Sequence, residues 1–160
     1  GTPCCRAWRA PRQGKRENMS ENYAAVRDPD AIRDILEDTK TVAVVGYSDD
    51  PGRAAHYVAR YLQEAGYRVI PVNPSLTQGL GETCYPSLKA IPKDIRIDMV
   101  DCFRRPEFIP EIAREAVAIG AKVLWMQSGI ASEQAREIAG KAGMTVVENR
   151  CTMREHKCLF

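Results

Sequence analysis

Three times in this chain a helical pattern closes on alanine or isoleucine, passes through a glycine and re-emerges as an apolar run, at Gly66, Gly120 and Gly143. Glycine just past a helix end supplies the left-handed turn that stops the helix. An apolar run without polar alternation suits a strand covered on both faces. Three helix, glycine, strand junctions therefore describe repeats of one unit. Such units are joined by right-handed crossovers, which gives an α/β fold with a doubly wound parallel sheet and helices on both faces.

The first strand is Thr41 to Val45, and it runs into Gly46, where the backbone turns and a ligand can approach closely. The loop Tyr47 to Gly52 follows, and a helix opens at about Arg53 with Ala55, Val58, Ala59 and Leu62 on one face. Upstream, Asp28 as N-cap and Pro29 at the first helical position start a short helix that buries Ile32, Ile35 and Leu36. A second strand, Tyr67 to Val72, stops at Asn73 and Pro74. The pattern from Ser75 to Ile97 is looser, with a short strand at Thr83 to Tyr85 and a helical turn from Pro86 to Ile91. Asp98 to Phe103 is the next strand, Pro110 belongs in the first turn of the next helix, and Lys122 to Met126 is another strand. Ser132 caps a helix with Ala135, Ile138, Ala139 and Ala142 inward, Thr145 to Val147 is the last strand, and one or two helical turns close the chain.

With 160 residues, 44% hydrophobic and 28% charged, the chain is expected to be a single domain with a real core. Residues 1–18 are expected to be a disordered or non-native leader ahead of a domain at 19–160, with Met19 as a natural start. That leader carries five basic residues and one acid, a net of +4. Of the overall +2, the rest of the chain therefore holds −2. A slightly acidic body argues against a nucleic-acid groove, which needs a basic face. No stretch is long and apolar enough to span a membrane. Six cysteines without a CxxC pair read as reduced thiols and a cytoplasmic setting.

In doubly wound sheets, ligands bind beyond the carboxyl ends of the strands, where the strand order reverses. Those ends are Gly46 to Ser48, Asn73 and Pro74, Phe103 to Arg105, and Gln127 to Gly129. A dinucleotide site would show GxGxxG after the first strand and an acid after the second, and neither is present. No Walker lysine is present either. Arg53, Arg104 and Arg105 supply the positive charge a phosphate wants, while Asp49 and Asp50 are expected to cap the helix and face solvent.

The blocks GYSDDPGR, GYRVIPVNP, LGETCYPSL, DCFRRPE, VLWMQSGI and ENRCTMREH, in order between Gly46 and His156, resemble the small stand-alone CoA-binding proteins. These are similar to the CoA-binding domain of the succinyl-CoA synthetase alpha subunit. The resemblance implies a Rossmann-like fold of about six parallel strands, Thr83 to Tyr85 being the third, with coenzyme A or an acyl-CoA across the strand ends. It implies that Gly46, Tyr47 and Ser48 meet the diphosphate with Arg53 nearby. Val72, Asn73 and Pro74 would surround the adenine and ribose, Phe103, Arg104 and Arg105 would form the family's loop after the fourth strand, and Gln127 and Gly129, in the loop after the fifth, would lie toward the pantetheine. Ala54 and Ala55 stand where relatives carry a polar residue such as serine, so one phosphate bond would be lost. The synthetase's phosphorylated histidine lies in a separate domain, which leaves binding without that chemistry.

The function expected is thus non-catalytic binding of CoA or an acyl-CoA by a carrier, sensor or regulatory module. A protein partner or homo-oligomer is left open. The alternative is an enzyme on the same fold, either an NAD(P)-dependent oxidoreductase or an acyl-CoA enzyme using Cys151 with Glu155 and His156. The missing acid after the second strand opposes nicotinamide binding, and a tail packed on the sheet is the simpler role for Glu155 and His156. Two histidines without ligand spacing give no metal site. Trp125, Tyr57 and Met126 read as packing residues.

Overall fold

A computed structural model describes residues 23–160, so the leader and its cysteines lie outside the described residues. In chain order the elements are α1 (Pro29–Asp38), β1 (Thr41–Val45), α2 (Ala54–Glu64), β2 (Arg68–Val72), β3 (Gln78–Gly79), β4 (Glu82–Thr83), β5 (Met99–Cys102), α3 (Ile109–Ala118), β6 (Val123–Met126), α4 (Glu133–Lys141), β7 (Thr145–Val147) and α5 (Thr152–Leu159). Five strands form one parallel sheet in the order β2-β1-β5-β6-β7. The strands are almost wholly buried, as expected for a parallel sheet with both faces covered.

Alternation along each strand splits the core into two layers. Ala43, Val45, Ile70, Val100, Leu124 and Val146 face α3 and α4, whose Ile109, Ala113, Ala116, Ala135 and Ala139 pack on them. Val42, Val44, Val69, Met99 and Trp125 face α1, α2 and α5 through Ile32, Leu36, Val58, Leu62 and Leu159. The small residues on α3 and α4 let those helices lie close to the sheet. Gly66, Gly120 and Gly143 take φ of 112°, 78° and 87°, as the junction pattern requires. Ser132 accepts a hydrogen bond from the Ala135 amide at 3.1 Å, and Pro110 falls in the first turn of α3.

Several local expectations are corrected. The third strand is reduced to one parallel bridge, Val72 to Tyr85, in which the Tyr85 amide donates to the Pro71 carbonyl (3.1 Å) and the Asn73 amide to that of Tyr85 (2.9 Å). Thr83 is already engaged in the antiparallel β3–β4 hairpin, and Pro86 has no amide to extend the ladder. Counting Tyr85, the edge order still follows the Rossmann pattern. Tyr57 is exposed, Ile35 is only half-buried, and Asp28 makes no side-chain cap bond. Asp50 does not cap α2. Its Oδ1 instead accepts from the Gly52 amide at 3.0 Å, an Asx turn inside the loop.

Candidate functional site at the reversal of strand order

The chain passes from β1 to β2 on one side of the sheet and later returns to β5 on the other side of β1. The crevice therefore opens above β1 and β5. At its base, the Gly46 and Tyr47 amides both donate to the Val72 carbonyl (3.0 and 3.3 Å), and the Phe103 amide donates to that of Val45 (2.9 Å). Gly46 has φ of 90°, and a Cβ there would lie 2.8 Å from the Phe103 carbonyl oxygen and 3.1 Å from Arg104 Cδ. The loops after β1 and β5 touch across this position, and only glycine permits it.

A cavity of about 190 Å³ sits directly above, lined by Gly46, Val72, Pro74 and Arg104 of the expected set. Val45, Pro86, Ser87, Leu88, Phe108 and Ile112 add to its walls. The Arg104 guanidinium lies 4.2 Å from the centroid of the Phe108 ring, a cation–π contact that keeps the charge at the mouth. Two carboxylates also border the cavity, and both are engaged: Glu111 accepts from Arg114 at 3.1 Å, and Glu115 Oε1 from the Leu88 amide at 3.2 Å. The cavity thus combines an apolar floor with one available cation. A volume below the roughly 300–1,000 Å³ of a site enclosing a whole drug-sized ligand fits one end of a larger molecule.

The remaining expected residues are distributed around this centre. Tyr47 is buried on the α2 side, its hydroxyl 3.3 Å from His56 Nδ1 and its phenol pushed above its usual range by burial. Ser48 Oγ accepts from the Asp50 amide at 3.0 Å. Asn73 Nδ2 donates to the Tyr47 carbonyl at 2.7 Å while its Oδ1 accepts from the Ser75 amide at 2.7 Å, so this side chain locks the first two loops together. Phe103 packs half-buried against the α2-side core. Arg53, 3.9 Å from Asp50, and Arg105, 3.6 Å from Glu107, are exposed. α2 begins at Ala54 without a side-chain cap. Gly129, with φ of 82°, donates its amide to Asn149 Oδ1 at 2.7 Å.

Gln127 turns inward. Its Nε2 donates to Asp101 Oδ1 at 2.5 Å and to Thr152 Oγ1 at 2.9 Å, and the Thr152 hydroxyl donates to Asp101 Oδ2 at 3.1 Å. All three residues are buried, and burial pushes the Asp101 carboxyl up to about 7 against the opposing pull of the two hydrogen bonds. This buried polar cluster ties β5, the end of β6 and the start of α5 beneath the site. It was missed in the sequence, although an aspartate inside Met99–Cys102 is the sort of residue that requires a partner. Phe108 was missed too. Its signal was an aromatic four residues beyond Arg104 in a turn rich in charge.

Cys151, Glu155 and His156 do not assemble into a nucleophile and base. Glu155 accepts from Arg150 at 3.3 Å, and His156 Nδ1 is 2.8 Å from the Tyr61 hydroxyl with its ring stacked on Phe160. Burial lowers the His156 pKa. Trp125 is fully buried and donates its indole N–H to the Arg150 carbonyl at 2.7 Å, and Met126 is in the core. Among the described residues no helix is long and apolar enough to cross a membrane.

Compared with known protein families, residues 40–157 match the CoA binding domain. The chain belongs to the CoA-binding domain family. The match includes every strand, the crevice and the buried Asp101 cluster. This CoA-binding domain is 42% identical over 125 residues to the uncharacterized protein YneT of Bacillus subtilis (strain 168), covering 78% of this chain and 91% of that protein. A solved hypothetical protein from Pyrococcus horikoshii OT3 superposes with a TM-score of 0.79 at 44% identity, covering 82% of this chain and 91% of the other. An acetate–CoA ligase (ADP-forming) I of Archaeoglobus fulgidus is 28% identical over 120 residues, which are 70% of this chain and 18% of that protein.

Proposed function

We propose that this domain binds coenzyme A or an acyl-CoA across the carboxyl ends of β1, β2, β5 and β6, as a carrier, sensor or regulatory module without chemistry of its own. The observation that carries the reading is a coincidence of place. The family match at 40–157 spans the reversal of strand order, and the cavity there has an apolar floor with Arg104 at its mouth. Arg104, on the cavity lining, and the exposed Arg105 offer cations to the phosphates. Val72 and Pro74 offer an apolar surface to a base or a pantetheine end. The ligase of Archaeoglobus fulgidus supports the ligand class only, since this chain spans 18% of it. Cys84 and Cys102 are buried free thiols, in keeping with a reducing compartment.

Asn73, bonded on both ends, stands where a nicotinamide enzyme carries its ribose-binding acid. Calorimetric titration is therefore expected to give saturable CoA binding and much weaker NAD binding. The double variant Arg104→Ala, Arg105→Ala is expected to weaken CoA about tenfold, the lower range for charge-assisted bonds because both side chains meet solvent. Tighter binding of NAD than of CoA would overturn the ligand assignment, and an unchanged CoA affinity in the double variant would remove the phosphate role of these arginines.

A further inference from the structure

A second cavity lies at the opposite end of the sheet, near the amino ends of β5 and β6, and the function proposed above makes no use of it. It measures about 590 Å³, within the roughly 300–1,000 Å³ range of small-molecule sites. Its floor is aliphatic. Ile91 and Ile97 are buried members of the α3–α4 core layer, and Ile95 and Ile119 pack half-buried beside them.

Its rim is cationic. Lys89, Lys93 and Arg96 all line it, no carboxylate does, and among the described residues none of the three has an ion-pair partner. The neighbouring Asp94 acts electrostatically on Arg68, which is bonded to Glu82. The one negative feature on the lining is the carboxyl end of α3 at Ala118 to Gly120, worth roughly half an elementary charge. Even with Asp94, which lies between Lys93 and Arg96 in the chain though off the lining, counted against them, more than one positive charge stays in excess around an apolar trough. The body of the chain is slightly acidic, so this rim stands out from the net charge around it.

We infer that this cavity binds an anionic amphiphile, an aliphatic chain with a carboxylate or phosphate head, with the chain on Ile91, Ile95, Ile97 and Ile119 and the head among Lys89, Lys93 and Arg96. Apolar burial supplies the affinity and the three cations select the head group. The inference is independent of CoA binding, because the two cavities share no lining residue.

The test is a titration of the full chain with decanoate below its micellar range, set against decyltrimethylammonium, which carries the same tail under an opposite head. Decanoate is expected to bind saturably at one site and at least about tenfold more tightly than the cation. The exposed double variant Lys93→Glu, Arg96→Glu is expected to lose about tenfold for decanoate while its melting temperature and its response to CoA stay as in the wild type. Equal binding of both heads, unchanged decanoate affinity in the variant, or displacement of decanoate by CoA would each overturn the assignment. So would a concentration-dependent dimer that the variant dissolves without decanoate binding, because a second copy would then be the occupant. Absence of CoA binding alone leaves every arm of this test readable.

Discussion

Gly46→Ala is expected to destabilise the fold by about 2–5 kcal/mol and to abolish measurable CoA binding at concentrations that saturate the wild type. Two costs add. A non-glycine residue at φ of 90° pays roughly 1–2 kcal/mol for the left-handed backbone. A Cβ 2.8 Å from the Phe103 carbonyl oxygen must then push the β5 loop away, an overpacking that costs roughly 1–3 kcal/mol. Because the obstacle is backbone, no rotamer change relieves it. Displacing Phe103 also shifts Arg104 and the wall of the cavity. Gly81→Ala is the internal control: it has φ of 79° with no atom within 4 Å of the added Cβ, so it incurs only the backbone part. Urea unfolding of the two variants separates the terms. If Gly46→Ala loses no more stability than Gly81→Ala, the contact between the loops after β1 and β5 does not constrain this position.

The features readable in the chain are those carried by short-range pattern. The three glycine junctions, the apolar strands and the Ser132 cap each depend on neighbours a few residues away, and each falls where the pattern puts it. Strand ends follow from the same pattern, so Gly46, Val72, Pro74 and Arg104 were legible as lining of the crevice. Side-chain direction was not. Simple alternation would place Tyr47 with Ala43 and Val45, but the turn at Gly46 carries it to the layer of Val42 and Val44. Gln127 was read as facing a ligand because it follows β6, yet its partners Asp101 and Thr152 lie 26 and 25 residues away. No local pattern reports such a contact. The third strand fails for a related reason, since Thr83 has two competing partners and the hairpin takes it.

Fold and site meet at that buried cluster. Asp101 stands two residues before Phe103, and through Gln127 and Thr152 it fixes the end of β6 and the first turn of α5 relative to β5. A carboxyl in this position is costly to ionise, and its two hydrogen bonds fix its orientation without fully offsetting the burial. The loops above it are therefore held by a group whose charge depends on pH.

Asp101→Asn should remove a pH dependence of about 4 kcal/mol, three pKa steps at roughly 1.4 kcal/mol each. The sign follows from proton binding. The folded carboxyl titrates at about 7 and the unfolded one at its ordinary 3.8, so between those values the folded state binds more protons. Stability must then fall as pH rises through this window, and the loss is complete above about 7. Asparagine keeps the shape: its Oδ1 accepts from Gln127, and its Nδ2 donates to the Thr152 hydroxyl. His156, whose pKa is lowered by burial, works in the opposite direction, losing stability as pH falls below its ordinary value, and it cancels in a comparison of the two proteins. Denaturant unfolding of both from pH 4 to pH 8 is expected to show the variant gaining steadily on the wild type up to neutrality. A flat difference across that range would mean that the donors from Gln127 and Thr152, together with the positive end of α5, hold the carboxylate as readily as water does. Carbon-detected titration of the Asp101 carboxyl in the folded protein would then place its midpoint near 4 instead of about 7.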